Sequence, residues 1–315
     1  MQLAIVVPCY NEEETLDESA TKLLSIMEAL EQKGKVSENS RIYFVDDGSE
    51  DNTWTSIENL VQGNNRITGI KLSRNRGHQN AIIAGLFTAE GDAIISIDAD
   101  LQDDINVMEN MVDEFIKGKD IVYGVREKRE SDTAFKRFTA EGFYRFMRFM
   151  GVNLVFNHAD YRLMSRRAIN ALKEFREVNI FLRGIVPLIG FASSTVYYHR
   201  VKRLKGSTKY PLKKMLAFAI DGITSFSTVP LRLITLTGSI VFTISLLISA
   251  WAFWVKFFTD RAIPGWASTV LPIYFIGGIQ VVCIGIIGEY LSKIYTEIKG
   301  RPKYFIDKII SGPGR

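Results

Sequence analysis

The stretch DAIISIDADLQDD, Asp92–Asp104, places an apolar run directly before four carboxylates, Asp98, Asp100, Asp103 and Asp104. Short, apolar and β-branched, the run predicts a buried β-strand. Carboxylates crowded at a strand's end repel one another unless solvent or a cation absorbs the charge. Two readings suit the loop: a solvated acidic turn that caps the next helix, or a site for a cation.

The neighbourhood of this stretch favours the second. Further apolar runs, at Leu3–Val7, Arg41–Val45, Ile67–Leu72 and Ile121–Val125, predict four more strands alongside Ala93–Ile97. Segments of helical periodicity such as EETLDESATKLLSIMEALEQ, Glu13–Gln32, lie between them. Strand–helix alternation predicts an α/β fold, a mostly parallel sheet with helices on both faces whose ligands bind beyond the carboxyl ends of the strands. The polar motifs fall at those ends: PCYNEEE after the first strand, DDGSEDNT after the second, SRNRGHQN after the third and DADLQDD after the fourth. No G-x-G-x-x-G follows the first strand and no phosphate-cradling G-x-x-x-x-G-K-[ST] occurs, which disfavours dinucleotide and P-loop chemistry. A nucleoside diphosphate held through a hard divalent cation, Mg²⁺ or Mn²⁺, needs neither loop. Oxygen ligands at Asp98 and Asp100, with the amide of Gln102, suit such a cation.

Charge divides the 315 residues unevenly. Residues 1–125 hold 23 acidic against 10 basic side chains, and the remaining 190 hold 12 against 29. An acidic front suits a cation site; a basic back suits anionic headgroups or phosphates. Nucleic acid is the poorer partner for that basic half, because apolar runs share it. Leu231–Val255 and Ala267–Leu291 are each about one bilayer thickness of helix. Basic residues flank the pair on both outer sides, which puts those flanks in the cytoplasm and the short loop between the runs outside. Trp251, Trp254 and Trp266 suit an aromatic belt. KYPLKKMLAFAIDGITSFSTVP, Lys209–Pro230, reads as a helix lying in the membrane interface, with an ordinary core helix as the alternative. Cys9 and Cys283 imply no disulfide framework. Its start, apolar only from Leu3 to Val7, is too short for a signal-peptide core.

Taken in order, VVPCYNEEET, VDDGSEDNT, SRNRGHQNAIIAGL and SIDADLQDD resemble the family 2 glycosyltransferases of GT-A fold. ADYRLMSRRA, RLKGSTKYPLKKML and the two apolar runs make the whole similar to the bacterial polyisoprenyl-phosphate glycosyltransferases related to dolichol-phosphate mannosyltransferase. The resemblance implies a cytoplasmic catalytic domain over 1–209, an interfacial region over 210–230, two transmembrane helices over 231–291 and a basic tail over 292–315. It implies an enzyme of the inner membrane, both termini cytoplasmic, acting as a homo-oligomer. A hexose would pass with inversion from a nucleotide-sugar, UDP-glucose in preference to the alternative GDP-mannose, to a polyprenyl (undecaprenyl) phosphate. A processive polysaccharide synthase and a non-catalytic nucleotide-sugar-binding module are the rival readings.

By the same resemblance, Pro8, Tyr10, Asn11, Glu12, Asp47, Ala99 and Arg126 contact the nucleotide-sugar, and Asp98, Asp100 and Gln102 hold Mg²⁺ or Mn²⁺. Arg203 and Lys209 grip phosphates. Asp160 acts as base or else orients Arg162. Arg137, Ser165 and Arg166 serve the acceptor phosphate, with helix capping as the other reading of Ser165. His78 is read as a packed or hydrogen-bonding histidine outside the site.

Overall fold

A computed structural model describes residues 1–126, 158–177, 181–198, 229–258 and 266–312. Its contacts divide the chain into two units. The first is built on β1, Leu3–Cys9, buried at all seven positions. Alternate side chains of a strand point to opposite faces. Leu3, Ile5, Val7 and Cys9 therefore join one core with Leu16, Leu23 and Met27 of α1 (Leu16–Gln32), Ile57 of α2 (Thr53–Gly63) and Met108 of α4 (Val107–Ile116). On the other face α3, His78–Thr88, packs so closely that a Cβ on Gly85 would stand 2.3 Å from Val6 Cγ1. A larger residue there would push the helix off the sheet.

The remaining strands are β2 (Arg41–Asp46), β3 (Ile67–Leu72), β4 (Ala93–Ser96), β5 (Ile121–Arg126), β6 (His158–Ser165), β7 (Ser193–Tyr198) and β8 (Ile306–Ser311). They form one sheet in the order β7-β5-β6-β4-β1-β2-β3-β8. Pairing of β1 with β2, of β2 with β3, of β1 with β4 and of β5 with β7 is parallel. This is the GT-A-like, mostly parallel α/β sheet with helices on both faces that the alternation predicts. The order reverses beside β1, and at such a switch point the diverging loops leave a crevice.

Two strands depart from the expectation. β6 runs antiparallel between β4 and β5, opposing Ser96 with Arg162 and Ala93 with Ser165. It thereby delivers Asp160 to the carboxyl end of β4, and Ser96 Oγ donates to the Asp160 carbonyl at 2.6 Å. β8 pairs antiparallel with β3. The segment expected as a basic tail thus continues the preceding helix to Lys299 and then adds an edge strand, on which Ile306 and Ile310 are half-buried and Ile310 packs against the core. Short helices α5 (Arg166–Lys173) and α6 (Leu182–Leu188) complete the described part of this unit.

The second unit holds α7, Val229–Phe258, and α8, Trp266–Lys299. Pro230 sits in the first turn of α7, where a missing N–H costs nothing. Leu233, Leu236, Ile240, Ile244, Leu247, Trp251, Trp254 and Phe258 are all exposed along α7 at spacings of three and four residues. A soluble helix turns such a stripe inward. Judged over the described residues alone, no helix is long and apolar enough to cross a membrane. The expected interfacial helix falls almost wholly outside the described residues.

Candidate active site

At the switch point a cavity of about 390 Å³ opens between the loops that follow β1, β2, β3 and β4. Pro8, Tyr10, Glu12, Asp47, Asp98, Ala99 and Asp100, all expected at the donor from the sequence, line it together with Cys9, Asn75, Gly77 and His78. Four loops far apart in sequence converge because each leaves the carboxyl end of a parallel strand, at the same end of the sheet.

Main-chain bonds fix the loops. Both oxygens of the buried Asp47 accept backbone N–H groups, Oδ1 from Arg76 at 2.7 Å and Oδ2 from Gly77 at 2.8 Å. Burial raises its pKa, a shift that these two bonds only partly oppose. Asp47 therefore holds the loop that carries His78 as well as facing the cavity. Gly48 has φ +68° and a Cβ there would stand 2.5 Å from the Arg74 backbone, so only glycine lets the second and third loops approach this closely. Asn11, with φ 55°, donates its N–H to Ser49 Oγ and accepts from Glu50 N through Oδ1. Its side chain serves the loop, and it is not among the cavity's lining residues.

In the acidic loop, Leu101 adopts φ 42°, a conformation disfavoured for a residue with a Cβ. Its N–H bonds the Asp98 carbonyl at 3.3 Å and the Gln102 N–H bonds Asp100 Oδ1 at 3.2 Å. This tight turn sets Asp98 and Asp100 on the cavity side. Gln102 is instead buried and outside the lining. Among the described residues, no group of three His, Cys, Asp or Glu side chains is arranged to hold a metal ion. Two carboxylates opening on a cavity do suit Mg²⁺ or Mn²⁺, which take one or two protein carboxylates and complete their shell with phosphate oxygens and water. The donor set at Asp98 and Asp100 fits such an ion. Asp103 turns the other way, buried and paired with Arg126 at 3.1 Å; Arg126 Nε also donates to Tyr198 Oη at 3.2 Å. Burial opposes the charge of Arg126, but Asp103 outweighs it and raises its pKa.

Sequence reasoning missed His78. Its Nε2 lies 3.3 Å from Asp98 Oδ1 and 3.7 Å from Asp160 Oδ2, so it bridges two carboxylates brought together from different strands. Burial lowers its pKa, but Asp98 and then Asp160 overcome this and leave the imidazole raised. A motif such as GHQN carries no mark of that contact, which only the strand order creates.

Asp160 is gripped from three sides. Arg162 Nη2, buried, is 2.6 Å from Oδ1; Arg183 Nη2 is 3.2 Å from Oδ2; His78 completes the set. Burial pushes the carboxyl up, yet Arg162 and Arg183 together hold it well below the usual carboxylate range. A carboxylate so stabilised as its anion is a weak proton acceptor. In this geometry Asp160 orients both Arg162 and Arg183.

Ser165 and Arg166, expected at the acceptor phosphate, require correction. β6 carries them to the far end of the sheet, about 17 Å from Asp160 at the usual rise per residue. There Ser165 Oγ caps α5, accepting from Ala168 N at 3.0 Å, and donates to Asp120 at 2.7 Å. Arg166 Nε donates to the Gly91 carbonyl at 3.0 Å. Both side chains serve the fold. Arg137, Arg203 and Lys209 lie outside the described residues.

The GT-A-like sheet places the chain in a class of α/β sugar transferases. Residues 4–173 match the family described as glycosyl transferase family 2, and residues 229–294 match the GtrB C-terminal hairpin. The chain belongs to glycosyl transferase family 2. It is 50% identical over 97% of its length to an uncharacterized glycosyltransferase, YkoT, of Bacillus subtilis, spanning 91% of that protein. It is 37% identical over 98% of its length to a prophage bactoprenol glucosyl transferase homolog of Escherichia coli, spanning 99% of that protein. To the bactoprenol glucosyl transferase of Shigella phage SfII it is 38% identical over 98%, spanning 98%.

Proposed function

We propose that this protein transfers glucose from UDP-glucose to a polyprenyl phosphate, with inversion, at the cytoplasmic face of a membrane. The observation that carries the reading is the full-length likeness to proteins named bactoprenol glucosyl transferase, at 37–38% identity across both units of the chain. Those names support the glucose that the resemblance already prefers to mannose.

An oxygen of the acceptor phosphate attacks the anomeric carbon opposite the UDP; the new C–O bond forms as the bond to the diphosphate breaks, and UDP leaves. The acceptor is already an anion at neutral pH, so no proton need be removed and Asp160 is not required as a base. Asp98 and Asp100 would hold Mg²⁺ or Mn²⁺, which supplies charge neutralisation to the departing diphosphate. Tyr10, Glu12 and Asp47 position the nucleotide, and His78 orients Asp98 from behind. Catalysis then rests on positioning and on preorganised charge.

We read α7 and α8 as a membrane hairpin. At 1.5 Å per residue their 30 and 34 residues extend roughly 45 and 51 Å, longer than the apolar layer. The exposed stripe from Leu233 to Phe258 supports lipid contact, since soluble proteins rarely leave so long an apolar surface uncovered. In this reading the hairpin anchors the protein in the bilayer that carries the lipid acceptor, and the protein acts as the homo-oligomer expected from the resemblance. Incubating membranes with labelled UDP-glucose or GDP-mannose, with Mn²⁺ or with EDTA, tests the reading. Label from UDP-glucose entering the organic phase only with the ion supports it; label from GDP-mannose alone replaces the donor.

A further inference from the structure

The turn that follows Asp100 is fastened at more points than a surface loop needs. Leu101 holds φ 42°, a strain that persists only where the surroundings over-determine the residue. Ser19 of α1, itself buried, donates Oγ to the Ala99 carbonyl at 2.6 Å, and Tyr161 of β6 donates Oη to the Asp104 carbonyl at 3.2 Å. Between these anchors Asp103 is only 3% exposed. Arg126 of β5 grips it with two N–H groups, Nε to Oδ1 at 3.1 Å and Nη2 to Oδ2 at 3.3 Å. Tyr198 of β7, paired with Arg126 across the sheet, closes the group: its hydroxyl accepts from Arg126 Nε at 3.2 Å and bonds Asp103 in turn. The Tyr198 ring stands edge-on to that of Tyr161, their centroids 5.5 Å apart. Neither Asp103 nor Arg126 is among the cavity's lining residues.

We propose that Asp103 is a positioning residue: clasped by Arg126 and Tyr198, it holds Leu101 in its left-handed conformation and so keeps Asp98 and Asp100 turned toward the cavity. The inference rests on the proposed function and gives Arg126, expected at the nucleotide-sugar, a role exerted through Asp103. The chain itself makes the link. Only Leu101 and Gln102 separate Asp100 from Asp103. Within that span the Leu101 N–H bonds the Asp98 carbonyl and the Gln102 N–H bonds Asp100 Oδ1. Drawing Asp103 into the sheet therefore closes the turn. A solvated Asp103 would let Leu101 relax to negative φ, and the bonds that aim both carboxylates would be lost. An interior ion pair adds little net stability over an apolar contact. What this one adds is direction, because a two-pronged arginine fixes the carboxylate in one plane. Burial and then Asp103 raise the pKa of Tyr198, which keeps its hydroxyl protonated as a donor to Asp103.

Local exchange and ion affinity test this in the full-length protein reconstituted in nanodiscs. Hydrogen–deuterium exchange reads the Leu101 and Gln102 amides. Mn²⁺ titration with UDP present, followed by electron paramagnetic resonance, reads the carboxylates. The variants are Asp103→Asn, Arg126→Lys and Tyr198→Phe. The proposal expects Asp103→Asn to speed exchange in the turn at least tenfold, with the amides of β1 and β4 within twofold, and to weaken Mn²⁺ at least tenfold. Saturating Mn²⁺ should restore most of kcat, because Asp103 is not itself a ligand. UDP affinity without the ion and the KM for prenyl phosphate should stay within twofold. Arg126→Lys, which keeps the charge but not the fork, and Tyr198→Phe should each give a smaller shift in the same direction, and they decide the matter if the asparagine variant does not fold. Unchanged exchange in the turn, faster exchange throughout the domain, or loss of UDP affinity in the absence of the ion would overturn it. Wild type that binds no Mn²⁺ and transfers no sugar contradicts the proposed function, while the exchange rates decide separately whether Asp103 holds the turn.

Discussion

Asp160 Oδ1 lies 2.6 Å from Arg162 Nη2, and both side chains are almost wholly buried within β6. Removing one partner of such a pair leaves an uncompensated charge in the interior. Asp160→Asn should cost about 3–5 kcal/mol and lower Tm by roughly 6–20 °C for a domain of this size. A general base replaced by its amide would lose turnover without that loss of stability, so a melting curve separates the two roles. The pair also sets an acid sensitivity. The folded carboxyl lies below its ordinary value of 3.8, so its stabilisation is complete above that value and is lost as pH falls through and below it. Wild type should therefore lose Tm more steeply than Asp160→Asn below about pH 4.

Asp98 and Asp100 share the cavity wall and the strained turn at Leu101. Asp98→Asn and Asp100→Asn should each reduce kcat/KM at least about 100-fold while Tm stays near that of wild type. Mn²⁺ titration followed by electron paramagnetic resonance in the presence of UDP checks the cause. Both variants should bind the ion more weakly, and unchanged affinity would remove these carboxylates from the metal role.

Ser165 gives the opposite prediction. Its hydroxyl caps α5 and bonds Asp120, far from the cavity. Ser165→Ala should cost about 1 kcal/mol of stability and leave the acceptor KM unchanged, as steady-state kinetics with varied prenyl phosphate will show.

The exposed stripe of α7 carries Trp251 and Trp254, 58% and 61% exposed. If the hairpin spans a bilayer, brominated lipids should quench their fluorescence in reconstituted protein, and the Trp251→Phe, Trp254→Phe double variant should lose most of that quenching. Quenching unaltered by the double substitution would argue against lipid contact at these residues.

Much of this was legible in the residues themselves. The first five strands fall within two residues of the apolar runs that predict them, because strands buried on both faces read as continuous hydrophobic segments. The cavity was legible for the same reason, since its loops begin where those runs end. β6 was not, because Asp160 and Arg162 break its apolar pattern; two opposite charges that neutralise each other inside a sheet look, in sequence, like a solvated loop. SSTVYY and IDKIIS, β7 and β8, alternate weakly at the sheet's edges and gave no clear period. His78 and Arg183 became visible only through strand order, which brings residues from β4, β6, α3 and α6 around one carboxylate. Ser165 and Arg166, expected at the acceptor through the resemblance alone, lie elsewhere because the antiparallel direction of β6 carries them away from the site.

The most direct test supplies purified, reconstituted protein with UDP-glucose, a polyprenyl phosphate and Mn²⁺, and examines the extracted lipid by mass spectrometry and NMR. A glucosyl phosphate lipid of inverted anomeric configuration, formed with stoichiometric UDP and absent when EDTA is added, is the predicted result. Release of UDP to water with no glycolipid formed, or a lipid product of retained configuration, would contradict the account.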